Sequence, residues 1–492
     1  MWPQAFRRRF QPAVTCDDRT GYNSGMITRS VFLAAALALA ALPSWAQDKL
    51  DLTILHTNDL HGHTLPFAYT EPERSKNEQP SVGGAARRAT LIRELKKKAK
   101  NPVLVIDLGD VATRGPLTNA FEGVADIEAL NATGYDIGTI GNNEFKLKDA
   151  TERFDATGAQ NALLQVLRRS HFPWVCANAG VGDPAKGELI PGVHPYLVRE
   201  INGVRVGFLG LTAPRSNGYP QVKGWWVSDP VEAAKKWIPI VRQNCDVLIA
   251  LTHIGVDDDK KLAAEVPGID AIVGGDSHTF LYKPLVVNGI PIVQTGEFGV
   301  NLGKFDLHFT KTPGGWKLAS YDDALLPITS RLKEAKDVKA VTDAYAAPLK
   351  NQVVATLPER FLGATPDERT RRTSEAIALA LARATNSEIG LHVEGDGLFE
   401  VFRTKKLTRY DIWAVMPFKN KVATVAMTGA ELTELKQKNK GVIFSAPVSD
   451  PTKIYTVALV DFTATGTLKI DASRLSVGSD LREAVIAGLS RL

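Results

Sequence analysis

The chain has 492 residues, of which 44% are hydrophobic and 23% charged, and its formal net charge is +5 at pH 7. These values are typical of a globular protein with sizeable cores, and they argue against a disordered chain. So modest a net charge does not indicate nucleic-acid binding. At roughly 100–200 residues per domain, the length of the chain predicts two or three domains.

The N-terminal segment has the pattern of an export signal. Residues 31–42 (VFLAAALALAAL) are apolar but too few for a membrane-spanning helix, which needs about 20 such residues. A small-residue pattern, Ser44-Trp45-Ala46, follows them. We therefore assign residues 1–46 to an N-terminal extension and signal peptide cleaved near Ala46 and Gln47. The mature protein is expected to be periplasmic or secreted, without a stable membrane anchor.

Beyond this segment the pattern predicts two domains and a linker. Residues 47–330 alternate apolar strands with helical stretches, and TPGG at residues 312–315 predicts a hairpin turn. Residues 331–352 are predicted to be a helical linker. Residues 353–492 begin with a helical pattern and continue with apolar strands, which predicts a smaller α+β domain.

Seven apolar runs in the first domain each lead into polar residues. Continuous apolar runs of four to six residues are typical of strands buried on both faces. Ligands in open α/β sheets collect beyond the carboxyl ends of the strands, so we expect these polar side chains to meet at one rim. The runs are LTILHTNDLH, PVLVIDLGD, DIGTIGNNE, VRVGFLGLT, DVLIALTHIG, IDAIVGGDSH and PIVQTGEFG. The candidate metal ligands at their ends are Asp59, His61, Asp110, Asn142, His253, Asp276 and His278.

The chemistry of these residues suits a pair of metal ions. Asp59 and His61 are two positions apart, so in an extended segment both would point to one side, and Asp276 and His278 repeat this spacing. Asp110 has two free oxygens with which to bridge two cations. A mixed set of nitrogen and oxygen donors suits Zn, Mn or Fe better than Ca. Two ions about 3.5–4 Å apart would clamp a phosphoryl oxygen, which predicts a phosphoesterase.

The order of the motifs resembles a known family. TILHTNDLHGH, LVIDLGD, GNNEF, THIG, GGDSHT and QTGEFGVNLG are similar to the motifs of calcineurin-like metallophosphoesterases. The nearest branch is the periplasmic 5′-nucleotidase/UDP-sugar hydrolase type. RTSEAIALALARA and LTRYDIWAVMPFKNKVATVAMTGAEL resemble the C-terminal domain of that branch.

The resemblance implies a fold and a set of roles. The fold would be an N-terminal β-sandwich flanked by helices in four αββα layers, followed by the smaller α+β domain. Arg372 and Phe418 would bind substrate, the latter by stacking on a nucleobase. One metal would be held by Asp59, His61, Asp110 and His278, and the other by Asp110, Asn142, His253 and Asp276. The ions would be Mn, Zn, Mg or Fe.

Within the motifs of the first domain, three positions depart from the family pattern. The family motif GNHE is GNNE here, with Asn143 in place of the histidine, and the acidic partner of that histidine is replaced by Lys146. An amide does not titrate, so Asn143 cannot act as a general acid, but it can donate a hydrogen bond to a phosphoryl oxygen while Lys146 supplies positive charge. Asp276 replaces a histidine ligand and favours harder ions such as Mn or Mg.

The sequence thus predicts an exported two-metal hydrolase of phosphate esters with altered substrate choice. A metal-bridged hydroxide would attack the phosphorus of a small phosphorylated molecule such as a nucleotide. Two alternatives remain open. The first is a catalytically impaired protein that binds metal and ligand on the same fold. The second is a hydrolase of sulfur esters, as in the related thiosulfohydrolases.

Overall fold

The computed structural model describes residues 48–70, 78–147 and 156–492. These described residues belong to one compact unit. Its strands in chain order are β1 Lys49–Thr57, β2 Phe67–Tyr69, β3 Gln79–Val82, β4 Val103–Asp107, β5 Ile137–Thr139, β6 Trp174–Val175, β7 Ala179–Val181, β8 Val193–His194, β9 Tyr196–Ile201, β10 Val204–Thr212, β11 Trp225–Val227, β12 Val247–His253, β13 Ala271–Val273, β14 Leu285–Val287, β15 Ile290–Val293, β16 Asn301–Thr312, β17 Gly315–Pro327, β18 Val353–Thr356, β19 Ile389–Val393, β20 Lys406–Thr408, β21 Lys421–Thr428, β22 Val442–Phe444, β23 Ile454–Val460 and β24 Ser476–Asp480. Its α-helices are α1 Ala85–Lys98, α2 Pro116–Phe121, α3 Val124–Thr133, α4 Ala156–Arg169, α5 Pro230–Arg242, α6 Val256–Glu265, α7 Lys336–Lys350, α8 Pro366–Thr385, α9 Arg409–Val415, α10 Gly429–Lys438 and α11 Leu481–Leu489.

Two sheets pack face to face in the N-terminal part. The first has the strand order β17-β16-β1-β4-β5-β6-β8, and the second has the order β14-β15-β13-β12-β10-β9. The core between them combines side chains of both sheets, among them Leu52 and Ile106 from the first and Phe208 and Ile249 from the second. The predicted β-sandwich is therefore confirmed, and the hairpin at TPGG joins β16 to β17.

Helices cover the outer faces of both sheets. Helices α1, α3 and α4 pack on the first sheet, where Ile92 of α1 and Leu163 of α4 meet Val105 of β4. Helices α5 and α6 pack on the second, where Ile238 contributes to a separate core. The strands read as continuous apolar runs because they are buried on both sides: Ile54 belongs to the inner core and its neighbour Leu55 to the outer one. The four layers follow the predicted αββα order.

The C-terminal part is built on a five-stranded sheet with the order β22-β19-β23-β21-β24. Helices α8 and α11 pack on one face of this sheet, and α10 packs on the other. Helix α8 begins at a capping box in which Thr365 accepts from the Glu368 amide and Glu368 accepts from the Thr365 amide. Helix α7 lies within the segment that the sequence assigns to a linker.

The parallel strands of the sandwich bring the predicted motifs together. Strand β1 runs parallel to β4 and β4 to β5, while β10, β12, β13 and β15 are successively parallel in the second sheet. All seven apolar runs form strands, and their carboxyl ends lie at one rim of the sandwich. The predicted signal peptide lies outside the described residues. Among the described residues, none of the helices combines the length and apolarity needed to cross a bilayer.

Candidate metal centre

The rim of the sandwich gathers carboxylates and imidazoles from both sheets. The loops after β1 and β4 supply Asp59, His61 and Asp110, and all three side chains are buried. His61 Nε2 lies 3.6 Å from Asp59 Oδ1 and 3.7 Å from Asp110 Oδ2. From the second sheet, His253 Nε2 lies 3.3 Å from Asp110 Oδ1 and 3.4 Å from Asp276 Oδ1. The third imidazole is that of His278, whose Nε2 lies 3.1 Å from Asp59 Oδ1.

The backbone at this rim departs from extended geometry. Asp59, His61, Asp110, Asp276 and His278 all have positive φ, between 45° and 85°. Strand β1 ends at Thr57, before the first of them. The expectation that an extended segment points each Asp-x-His pair to one side is therefore wrong, although all four side chains reach the same rim. Left-handed conformations at non-glycine residues are uncommon, and their clustering at one point is typical of functional sites.

Each of the three histidines has one ring nitrogen engaged with a hydrogen-bonding oxygen. Nδ1 of His61 lies 2.6 Å from Thr113 Oγ1, and Nδ1 of His253 lies 2.6 Å from the Leu108 carbonyl. Nδ1 of His278 lies 2.5 Å from Glu297 Oε2. When Nδ1–H donates outward, the Nε2 lone pair points inward, which is the usual arrangement of metal-binding histidines.

The donor atoms fit divalent cations in two overlapping groups. Asp59, His61 and His278 form one group and Asp59, Asp110 and His253 the other, and the ligand atoms within each group lie within 4.8 Å of one another. Two of these atoms, Asp59 Oδ1 and His253 Nε2, are buried without a hydrogen-bond partner among the described residues. Buried polar atoms are rarely left in this state, so both are suited to bind a cation.

Electrostatics keep the carboxylates ionised. Burial alone would raise the pKa of Asp59, but the neighbouring imidazoles of His253, His278 and His61 lower it below its usual range. The pKa of Asp110 is lowered in the same way, since His253 and His61 outweigh the effect of burial. Anionic oxygens beside imidazole nitrogens are the donor set expected for Zn, Mn or Fe.

Glu144 of the GNNE motif joins the loops that carry the ligands. Its buried carboxylate accepts hydrogen bonds from the backbone amides of Asp110, Val111 and Gly141, each at 2.8 Å. The backbone also approaches closely here, because a Cβ on Gly141 would lie 2.3 Å from Asp110 Oδ1. Glu144 therefore positions Asp110 without pointing into the centre itself.

Asn142 and Asp276 contact an arginine that the sequence did not indicate. Nη2 of Arg215 lies 3.0 Å from Asn142 Oδ1 and also forms an ion pair with Asp276 Oδ1. On the other side, Asn142 Nδ2 donates to the Tyr219 hydroxyl at 3.0 Å. These two predicted ligands thus lie at the rim, but their oxygens bind a guanidinium.

The predicted catalytic residues also have protein partners. The Asn143 side-chain amide donates to Asp110 Oδ2, and its backbone amide donates to Asp110 Oδ1 at 2.7 Å. The Lys146 ammonium lies over the Tyr219 ring, 3.6 Å from its centroid. Asn143 therefore contacts a predicted metal ligand, and Lys146 contacts Tyr219, whose hydroxyl accepts from Asn142.

The two predicted substrate residues are in different surroundings. Phe418 is 41% exposed and lines a cleft of about 110 Å³ together with Asn143 and Lys146. Arg372 lies on α8, where its guanidinium pairs with Glu375 at 2.8 Å, and it lines neither this cleft nor a larger one described below.

Four further residues hold the centre in place. They are Thr113 and Glu297, which orient histidines, and Arg215 and Tyr219, which flank Asn142. Glu297 follows β15 in the QTGEFG run, so its position after an apolar run is the only signal the sequence offered. Arg215 and Tyr219 lie in an irregular segment after β10, where no periodic pattern identifies them.

Comparisons with known proteins agree with this architecture. Residues 52–280 match the family model described as calcineurin-like phosphoesterase. The chain is 29% identical over 417 residues to the trifunctional nucleotide phosphoesterase protein YfkN of Bacillus subtilis, covering 78% of this chain and 27% of that protein. It is 33% identical over 280 residues to the 5′-nucleotidase of Diplobatis ommata, covering 53% and 46%.

A solved structure extends the similarity along the chain. The 5′-nucleotidase precursor of Thermus thermophilus superposes with a TM-score of 0.64 and 25% identity, covering 90% of this chain and 96% of that one. The chain spans about a quarter and about half of the lengths of the two relatives above. Fold, motif order and rim chemistry therefore support a metallophosphoesterase of the 5′-nucleotidase type.

Proposed function

We propose that the chain is an exported, metal-dependent hydrolase of phosphate monoesters, with nucleotides as the substrate class. The observation that carries the proposal is the convergence of two ionised carboxylates and three inward-facing Nε2 atoms on one small volume. Desolvated groups of this kind are costly unless a cation binds them. The nucleotidase names of the relatives support the substrate class.

Two divalent ions are the proposed cofactors. When bound, they supply Lewis-acid activation of the phosphoryl group and of the attacking water. Asp59, His61 and His278 would hold one ion, with Asp110 beside them, and Asp110 and His253 would bind at the second position. The roles of Asn142 and Asp276 as ligands of that second ion remain part of the proposal, because both contact Arg215.

The departures from the family pattern shape the proposed chemistry. With Asn143 donating to Asp110, this side chain would position the carboxylate, and no titratable acid occupies the place of the family histidine. Lys146 would add positive charge near Asn142. A missing general acid typically lowers a rate by about 10²–10⁴-fold, so we expect slow turnover and altered substrate choice.

The organic part of the substrate has a candidate place beside the centre. A cleft of about 310 Å³ is lined by Phe298 and Phe399, among other residues, and the Phe298 ring lies 5.9 Å from His61 and 6.0 Å from His278. Aromatic faces of this kind stack on nucleobases. We retain Phe418 as a second stacking ring and Arg372 as a substrate-binding cation.

Domain organisation and location complete the proposal. We propose that residues 47–330 form the metallophosphoesterase domain and residues 353–492 the substrate domain, joined by the segment 331–352. Export is proposed from the apolar segment at residues 31–42 alone. The substrate would then reach the enzyme outside the cytoplasm.

The test uses metal-stripped full-length mature protein. Hydrolysis of 4-nitrophenyl phosphate, a nucleotide panel and thiosulfate esters is measured with Mn, Mg, Zn or Co added back. We expect turnover of phosphate esters that depends on metal and is lost in Asp110→Ala. Stoichiometric metal without turnover of any ester would support the binding-protein alternative, and turnover of sulfur esters alone would support the thiosulfohydrolase alternative.

A further inference from the structure

Arg215 reaches the metal centre from outside the predicted ligand set. It lies in the short 3-10 helix Pro214–Gly218, which follows β10 at the carboxyl end of that strand. A single nitrogen, Nη2, contacts Asn142 Oδ1 at 3.0 Å and pairs with Asp276 Oδ1. The guanidinium therefore contacts both Asn142 and Asp276, two of the ligands expected for the second metal ion.

The same oxygen of Asp276 also faces the third expected ligand of that ion. Asp276 Oδ1 lies 3.4 Å from His253 Nε2, which is buried without a hydrogen-bond partner among the described residues. A cation held jointly by Asn142, His253 and Asp276 would have to displace Arg215 Nη2. A guanidinium has only donors, so it satisfies acceptor oxygens and leaves the lone pair of His253 unused.

The surrounding residues hold Asn142 in the orientation that favours Arg215. Its amide nitrogen donates to the Tyr219 hydroxyl, so its oxygen faces the guanidinium. Tyr219 comes from the same segment as Arg215 and has Lys146 over its ring. The segment after β10 thus supplies both the cation and the group that orients its acceptor.

The charges at this position balance. Asp276 adds one negative charge where the family pattern has a neutral histidine, and Arg215 adds one positive charge. The side chain of Asp276 is only 3% exposed, so its carboxylate needs a positively charged partner close by. The planar guanidinium, beside the first ion, could also donate two parallel hydrogen bonds to two oxygens of a phosphoryl group.

We propose that Arg215 takes the place of the second divalent ion. The centre then holds one tightly bound metal at Asp59, His61 and His278, and the Arg215 guanidinium provides the positive charge at Asn142 and Asp276. This inference rests on the proposed function for the first metal position and departs from it at the second, where Arg215 replaces the proposed ion. It assigns Arg215 as a phosphoryl-binding residue and makes the second metal position weak.

The experiment counts metal ions. Metal-stripped full-length protein is titrated with Mn²⁺, and binding is followed by calorimetry and electron paramagnetic resonance. In the wild type we expect one tight ion with the hyperfine-split spectrum of an isolated Mn²⁺. In Arg215→Ala we expect a second ion to bind about 10–100-fold more tightly than in the wild type, the range typical of changes next to metal ligands, with an exchange-coupled spectrum.

Arg205→Ala is the matched control. Arg205 lies on β10, its side chain is 50% exposed against 52% for Arg215, and it pairs with Asp246 at 3.0 Å. This variant should behave as the wild type. Arg215→Gln, which keeps most of the side-chain volume, replaces Arg215→Ala if that variant does not fold.

The result that overturns the inference is two equally tight Mn²⁺ ions in the wild type, unchanged by the loss of Arg215. The readout is the number of bound ions and not hydrolysis, so the proposed function and the assignment of Arg215 are tested independently. If the ion count changes as expected but no ester is hydrolysed, the proposed function fails and the assignment of Arg215 stands. If two ions bind equally and esters are hydrolysed, only the assignment of Arg215 fails.

Discussion

At the scale of single residues, the centre depends on groups that orient the metal-binding atoms. Three histidines direct Nε2 inward because Thr113, Leu108 and Glu297 engage their Nδ1 atoms. Glu144 has the same kind of role for Asp110. Such partners typically change metal affinity by about 10–100-fold when they are replaced.

Glu144→Gln tests this role. An amide can accept from the backbone N–H groups with only one atom, and its NH₂ group would face the donors of Asp110 and Gly141. We expect Mn²⁺ affinity about 10–100-fold weaker than in the wild type by calorimetry, with the protein still folded. Glu128→Gln is the control, because it changes a half-buried carboxylate of α3 that pairs with Arg169 of α4. Equal affinities in all three proteins would show that Glu144 does not position the ligands.

The absent general acid is tested by restoring it. The double variant Asn143→His and Lys146→Asp recreates the acid and its carboxylate partner and releases Asp110 from the Asn143 amide. We expect kcat on a nucleotide to rise on the order of 10²-fold. Lys146→Asp alone should give no gain, because a carboxylate without the histidine cannot protonate the leaving group. An unchanged rate in the double variant would refute this account of the dyad.

At the scale of elements, the strand ends were predictable and the loops were not. The apolar runs predicted seven strands correctly because burial on both faces leaves a continuous hydrophobic signal. The Asp-x-His spacing indicated the right residues for the wrong reason, since their convergence depends on left-handed backbone at Asp59, His61, Asp276 and His278. Arg215 could not be predicted, because its contacts with Asn142 and Asp276 join segments far apart in sequence.

Strand β1 carries a buried histidine with a consequence for stability. His56 is paired in register with Gly303 of β16, and a Cβ on that glycine would lie 2.1 Å from His56 Nε2. Burial lowers the pKa of His56 from 6.5 to about 3. Between these values the unfolded chain binds a proton that the folded chain does not, so stability falls as the pH falls below 6.5.

This effect is measurable by urea unfolding. For His56 alone, lowering the pH from 7 to 5 should reduce the free energy of unfolding by about 2 kcal/mol. His56→Leu removes the titrating group. Between pH 7 and pH 5 the free energy of unfolding of this variant should therefore fall by about 2 kcal/mol less than that of the wild type. Comparing the change within each protein cancels the effect of the substitution on packing. The same change in both proteins would contradict the prediction.

At the scale of the whole molecule, residues of the two proposed domains meet beside the centre. Asn119 Nδ2 donates to the Pro417 carbonyl at 2.9 Å, next to Phe418. Glu78 pairs with Arg369 at 2.6 Å and with Arg403 at 2.7 Å. The four-layer order followed from the motif resemblance. These contacts instead join residues of helices and loops, Asn119 in α2 and Arg369 in α8 among them, and no local sequence pattern specifies which residues meet.

The most direct test of the account is the metal content of the reconstituted protein. Asp59 belongs to both groups of candidate ligands, so Asp59→Asn should weaken every position at once. After incubation with Mn²⁺ and removal of free ions, mass spectrometry of the metal should find at least one equivalent in the wild type and almost none in Asp59→Asn. Asp51→Asn, at the exposed start of β1, should retain the wild-type content. A wild-type protein that binds no ion, or an Asp59→Asn variant that retains its full content, would contradict the assignment of this rim as a metal centre.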